Sequence, residues 1–252
     1  MFLAPSFCWA ANALIVHDGT LGTEADALGN LTGKLVAKGF TVTPSVGVPD
    51  GSLTGYQQIW DIRFDNTTPL SGSDITAYVG YMAGGGSLSV IGENLLFVTR
   101  DNSIVTLIAA AGGGSISLAT PANAQTVNPQ FTGPAALTNI TFLAAAGTPS
   151  PGTGALGTVD GSRIGAKIVW APGQLLNAAA GSLIVVFDVN FLQAGADANS
   201  QTFANNLIGY LAAPAPRVVA PVPAPSSLLL VLTGACGIIA FEIRRRNKAH
   251  AA

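Results

Sequence analysis

The spacing of hydrophobic and polar positions changes back and forth along this chain. Leu14-Ile15-Val16 runs into His17-Asp18-Gly19, the pattern of a buried strand opening into a loop. Ala27, Leu28, Leu31, Leu35 and Val36 then recur at helical spacing, and Gly39 supplies a C-terminal stop. A second strand is predicted over 40–46 and a third over 56–64, the latter ending in the charged Asp61, Arg63 and Asp65. Residues 71–86 open on cap-type residues and close on glycines, which predicts a helix. A fourth strand follows over 87–94, and a helix over 103–114.

The middle is less regular. Its Thr, Asn, Pro and Gly predict short strands and loops, as an antiparallel extension of the sheet, with 147–161 an exposed loop. Strands return over 166–173 and 182–191. A last helix over 199–213 places Phe203, Leu207, Ile208 and Leu211 on one face. The triplets Gly84–Gly86 and Gly112–Gly114 read as helix exits; neither is followed by the Lys-Ser/Thr of a phosphate loop, and each precedes a strand. Strands alternating with helices predict an α/β fold with a mainly parallel, doubly wound sheet over 14–213. In such folds ligands bind beyond the carboxyl ends of the strands.

Composition narrows the setting. Only 10% of the 252 residues are charged, against about 25% in ordinary soluble domains. The stretch from Leu14 to Pro225 holds seven basic and twelve acidic residues, a balance of −5 with no basic patch. Nucleic acid is therefore excluded as an expected partner, because it requires clustered Lys and Arg. Cys8 and Cys236 lie in terminal apolar segments, so the body has no disulfide, no thiolate metal site and no cysteine nucleophile. No cofactor motif is present, and no cofactor is expected.

The two ends predict export. Residues 1–13 are apolar and finish in Ala11-Asn12-Ala13, a small-x-small cleavage pattern without a basic start, and read as a signal-peptide remnant. Residues 214–225 form a Pro-rich linker. Residues 226–243 carry a single acidic residue, Glu242, near their end, and as a helix would span ~27 Å, close to the hydrocarbon core of about 30 Å. Arg244, Arg245 and Arg246 open a basic tail over 244–252 that belongs in the cytoplasm, which leaves the body in the periplasm. Val222-Pro223-Ala224-Pro225-Ser226, the apolar span and the arginines together resemble the PEP-CTERM sorting signal of Gram-negative bacteria. Ala224 stands where that family usually has Glu. The resemblance implies an exosortase-type processing protease as partner, delivery to the cell surface or extracellular matrix, and association with exopolysaccharide and biofilm.

The body carries a second resemblance. GGGSLSVIGEN after a helix, and GSLIVVFDVNFL followed by NSQTFANNLIGYL, are similar to the class I glutamine amidotransferase-like superfamily, nearest its ThuA-like branches. That implies a flavodoxin-like or amidotransferase-like sheet. It does not carry the chemistry over: Gly92-Glu93-Asn94 stands where the catalytic branch has its Cys, and the only histidines are His17 and His250.

The strand ends supply the candidate residues. His17 and Asp18, Asp61 and Arg63, Glu93 and Asn94, and Asp188 and Asn190 come from four strands and are expected along one edge. As a pocket they could hold a hard cation such as Ca²⁺, bind sugar hydroxyls beside Trp60, or hydrolyse a glycoside with two carboxylates. As structure they could cap helices, with Asp61 and Arg63 simply paired, Glu93 bonded to backbone amides, and His17 satisfied internally. The expected function is that of a non-enzymatic surface or matrix protein. The alternative is an extracellular carboxylate- or metal-dependent hydrolase acting on carbohydrate.

Overall fold

The computed structural model describes residues 11–19, 22–131 and 133–212. Most of the signal-peptide remnant, the linker, the sorting motif, the apolar span and the basic tail lie outside the described residues. Among the described residues, no helix is long and apolar enough to cross a membrane.

The main sheet has seven strands. In chain order they are β1 (Ala11–His17), β2 (Phe40–Val46), β3 (Gln58–Asp61), β4 (Ser87–Gly92), β7 (Ala155–Leu156), β9 (Lys167–Trp170) and β10 (Ser182–Phe187). Their order in space is β2-β1-β3-β4-β10-β9-β7. The first five in that row are parallel, and β9 and β7 extend the sheet antiparallel beyond β10. The fold is thus mixed α/β with a large, mostly parallel sheet. Alternation along each strand sends side chains to two separate cores. Ala13, Ile15, Trp60, Ile184 and Val186 enter one, with helices α1 (Thr23–Ala37) and α4 (Ala198–Ala212). Leu14, Val16, Ile59, Val90, Leu183 and Val185 enter the other, with helices α2 (Gly72–Ala83) and α3 (Val98–Ala110). Both faces are covered, as the continuous apolar runs of the central strands require.

Local signals set the helix ends. The Ser71 hydroxyl accepts the Asp74 N–H while Asp74 reaches back to the Ser71 N–H, a complete capping box. Gly39 leaves α1 at φ +87° and Gly112 follows α3 at φ +82°, conformations that favour glycine.

Four expectations need correction. The helix predicted from Ser103 begins at Val98, because its first buried positions are Arg100 and Asp101, which carry no hydrophobic signal. The middle does not simply extend the main sheet. It builds a separate three-stranded sheet from β5 (Ala124–Val127), β6 (Asn139–Thr141) and β8 (Thr158–Val159), all antiparallel. Nor is 147–161 an exposed loop. It contains β7 and β8, buries Thr148 completely, and fixes Asp160 through the N–H groups of Ala122, Ser162 and Ile164. Finally, β1 begins at Ala11 and pairs with β2 from Phe40 onward, so Ala11-Asn12-Ala13 belongs to the sheet.

Candidate functional site

Because β1, β3, β4 and β10 are parallel and adjacent in the sheet, their carboxyl ends share one edge. All eight candidate residues lie along it, yet they do not form one pocket. The small sheet is responsible. After β6 the chain runs across the strand ends as a strap of residues 142–146. The Phe142 N–H donates to the Asn123 carbonyl, the Leu143 N–H to Asp188 Oδ2 at 2.7 Å, and the Ala146 N–H to the Glu93 carbonyl. Within it Phe142, Ala145 and Ala146 are buried, while Leu143 projects to solvent.

Asp61 and Arg63 turn toward α2 and α3 and close on themselves. Arg63 grips Asp61 with two hydrogen bonds, Nε to Oδ1 at 3.0 Å and Nη2 to Oδ2 at 2.6 Å. Arg100 adds a bond to Oδ1 at 3.0 Å and Tyr78 one to Oδ2 at 2.8 Å. The remaining donors of Arg100 reach the Ile91 and Thr68 carbonyls, and Arg63 also meets Asp74 at 3.3 Å. Two arginines face two aspartates, so charge balances. Burial pushes the Asp61 carboxyl up, but Arg100 and Arg63 override it and hold it below the ordinary range. The pairing reading holds for these two residues, which are bonded to each other and buried. Tyr78 was not legible as a partner because it sits on a helix read for its apolar positions, and Arg100 because the predicted helix began after it, at Ser103.

Glu93 and Asp188 are 3% and 0% exposed. With Asp101 they form a group of carboxyls at the ends of β4 and β10. Asp188 accepts the Leu143 and Asn190 N–H groups, each at 2.7 Å. Glu93 Oε1 accepts the Asn94 N–H at 3.1 Å, and the Glu93 N–H donates to Asp101 Oδ1 at 3.0 Å. Asp101 Oδ2 is buried without a partner. Burial, reinforced by the Asp188 charge, pushes Glu93 up to about 8 against the pull of the Val189 and Asn94 N–H groups. Burial likewise raises Asp101 to about 7. Burial raises Asp188 too, against the pull of hydrogen bonds from Asn190, Leu143 and Ala144. The turn after β4 is therefore occupied by a carboxyl bonded to the Asn94 backbone amide. Among the described residues, no group of three or more His, Cys, Asp or Glu is placed to hold a metal ion, so the Ca²⁺ reading is not carried by this edge.

The other candidates divide. His17 is half-buried, and its Nδ1 accepts the Gly19 N–H. The Asp18 N–H donates to the buried Glu24 of α1, which fixes the β1–α1 turn. Trp60 is fully buried and donates to Gln58, so it offers no platform to a sugar. Asn94 caps the short turn of helix at Leu95–Phe97. It lines a shallow cleft with Leu95, Leu96, Thr120 and Asn123 on one side of the strap.

Asn190 lines the cleft on the other side, about 410 Å³ in volume. Its walls are Asp26 from α1, Thr141 from the end of β6, Phe142 and Leu143 from the strap, Phe191 and Gln193 from the loop after β10, and Asp197 and Ser200 at the start of α4. Sequence reading found only Asn190 here. Asp26, Asp197 and Ser200 come from helix first turns 171 or more residues apart in the case of Asp26 and Asp197, and no motif links them.

No protein-family model matches this chain, and no curated protein matches it in sequence. Solved structures do match its fold. The N-terminal domain of mmIFT52 superposes with a TM-score of 0.58 at 12% identity, covering 79% of this chain and 96% of that one. A ThuA-like protein from Bacteroides uniformis gives 0.51 at 14% identity, covering 80% and 91%. A glutamine amidotransferase from Thermotoga maritima gives 0.50 at 8% identity, covering 81% and 98%. The fold is amidotransferase-like.

Proposed function

We propose that this chain is an exported, non-enzymatic surface or matrix protein whose α/β domain binds carbohydrate of the surrounding exopolysaccharide or envelope. One observation carries the binding half. The strand-end carboxyls Glu93 and Asp188 are engaged by the chain's own backbone beneath the strap, whereas the side chains left open beside it include amides, hydroxyls and carboxylates along with the apolar Leu143. Asn190, Gln193, Thr141, Asp26 and Asp197 form a set of donors and acceptors suited to sugar hydroxyls.

The export half is supported by sequence. The motif Val222–Ser226, an apolar span over 226–243 and Arg244–Arg246 follow the order of a PEP-CTERM signal, with a single membrane helix holding the precursor until an exosortase-type protease acts. Since Ala11–Ala13 pair with β2, a signal peptide would be cut ahead of Ala11 rather than after Ala13. The intact mass of the protein from its native host, with and without exosortase, tests this half. Loss of the tail near Pro225 only when exosortase is present is the expected result. A tail retained in both strains overturns the sorting reading and leaves a single-pass anchor. For the binding half, the full chain is titrated with neutral, cationic and acidic oligosaccharides; failure to bind any of them overturns it.

The hydrolase reading keeps one supporting observation, two buried carboxyls (Glu93 and Asp188) at the ends of neighbouring parallel strands, where burial and the Asp188 charge push Glu93 up to about 8. It requires the strap to leave the strand ends, and turnover of a glycan by wild type that is lost in Glu93→Gln would establish it.

A further inference from the structure

We infer that the cleft between α1, the strap and α4 takes a cationic sugar, a hexosamine bearing a free ammonium group; this rests on the carbohydrate-binding reading above. Its lining contains Asp26 and Asp197 and no Lys or Arg. Both carboxylates are exposed, and each is oriented by a single backbone bond. The Ala194 N–H donates to Asp26 Oδ2 at 3.0 Å, and the Ser200 N–H to Asp197 Oδ1 at 2.7 Å. In each case the second oxygen is left open, and neither carboxylate has an ion-pair partner among the described residues. Lys34, further along α1, is directed to the Gln201 carbonyl at 3.5 Å and is not part of the lining.

A second observation is independent of the two acids. Ser200 lines the cleft and is 4% exposed, yet its hydroxyl makes no hydrogen bond among the described residues. Nearly buried hydroxyls are ordinarily satisfied, so one left free against a cavity is a place for a ligand's polar group. The Asn190 and Gln193 amides and the Thr141 hydroxyl add neutral polar groups to the same lining. A uronate or sulfated polymer would meet only like charge here. A neutral sugar would leave both carboxylates uncompensated, whereas an ammonium would meet them.

The test is calorimetric titration of the full chain with three probes: fully deacetylated chitosan oligomers, their N-acetylated counterparts, and alginate oligomers. Deacetylated oligomers are expected to bind at least tenfold more tightly than acetylated ones, with no alginate binding. Asp26→Asn and Asp197→Asn should each weaken that binding severalfold while leaving the melting temperature unchanged, because Asn keeps the oxygen that accepts the backbone N–H. Ser200→Ala should weaken all binding at the cleft. Equal or tighter binding of the acetylated oligomers overturns the ammonium inference and leaves the carbohydrate reading standing. Deacetylated binding that survives both Asn variants places the contact elsewhere on the acidic body and also overturns the inference. No binding by any probe, nor by neutral glucans, overturns both.

Discussion

Glu93 should make this protein less stable as pH rises across the neutral range, the reverse of what a salt-bridged carboxylate does. Below pH 4.5 the side chain is protonated whether the chain is folded or not. Between 4.5 and about 8 the unfolded chain releases the proton while the folded chain keeps it, so stability falls through that window. Above 8 the loss is complete. At about 1.36 kcal/mol per pH unit, the gap gives a ceiling on the order of 5 kcal/mol. Glu93→Gln is the clean perturbation. The amide keeps an oxygen for the Asn94 N–H, fills nearly the same volume, and never ionises beside Asp188. Denaturant unfolding of wild type and variant at pH 4.5, 7 and 9 reads the effect. The two should agree to about 1 kcal/mol at pH 4.5 and diverge in favour of the variant by several kcal/mol at pH 9. For a domain of this size that is on the order of 10 °C in melting temperature. A pH-independent difference, or a variant less stable than wild type at pH 9, would refute the reasoning.

Lys167 should act in the opposite sense. It is 1% exposed on β9, its ammonium lies 5.0 Å from the rings of Phe131 and Phe203, and burial lowers it to about 7 from an ordinary 10.5. Stability is lost as pH falls from 10.5 toward 7, so Lys167→Met should gain at pH 7 and match wild type near pH 11 in the same unfolding assay. Asp61→Asn should cost about 3–5 kcal/mol, because it leaves Arg63 and Arg100 buried without their shared counter-charge; a urea midpoint within error of wild type would contradict the network. Gly92→Ala should lower the melting temperature by several degrees. A Cβ there would come within 2.5 Å of Phe187 and 2.6 Å of Asp101 Oδ1, an overpacking worth about 1–3 kcal/mol; an unchanged melt would place that turn differently.

Much of the fold was legible because its signals are local. Ser71-x-x-Asp74 announces a helix start, Gly39 and Gly112 announce exits, and Leu14–Val16 and Leu183–Val186 announce strands buried on both faces. What misled was buried charge. The first turn of α3 hides Arg100 and Asp101 in the interior, so hydrophobic spacing placed the helix start five residues late. The candidate residues were likewise brought to one edge, as parallel strand order dictates, but that reading could not supply the strap.

The sequence by itself determined the alternation of elements, the common edge of the four strand ends, and the lack of a cysteine anywhere in the body. It determined these because a strand or a helix end is written in the few residues that form it. Tertiary structure alone decided how the edge is used. The three strands of the small sheet fall within residues 124–159, and their pairing draws residues 142–146 across Glu93 and Asp188, which stand on other elements of the chain. It likewise brought Asp26 into one cleft with Asp197 and Ser200. Contacts between segments more than a hundred residues apart depend on the packing of whole helices and sheets, and no short motif records them.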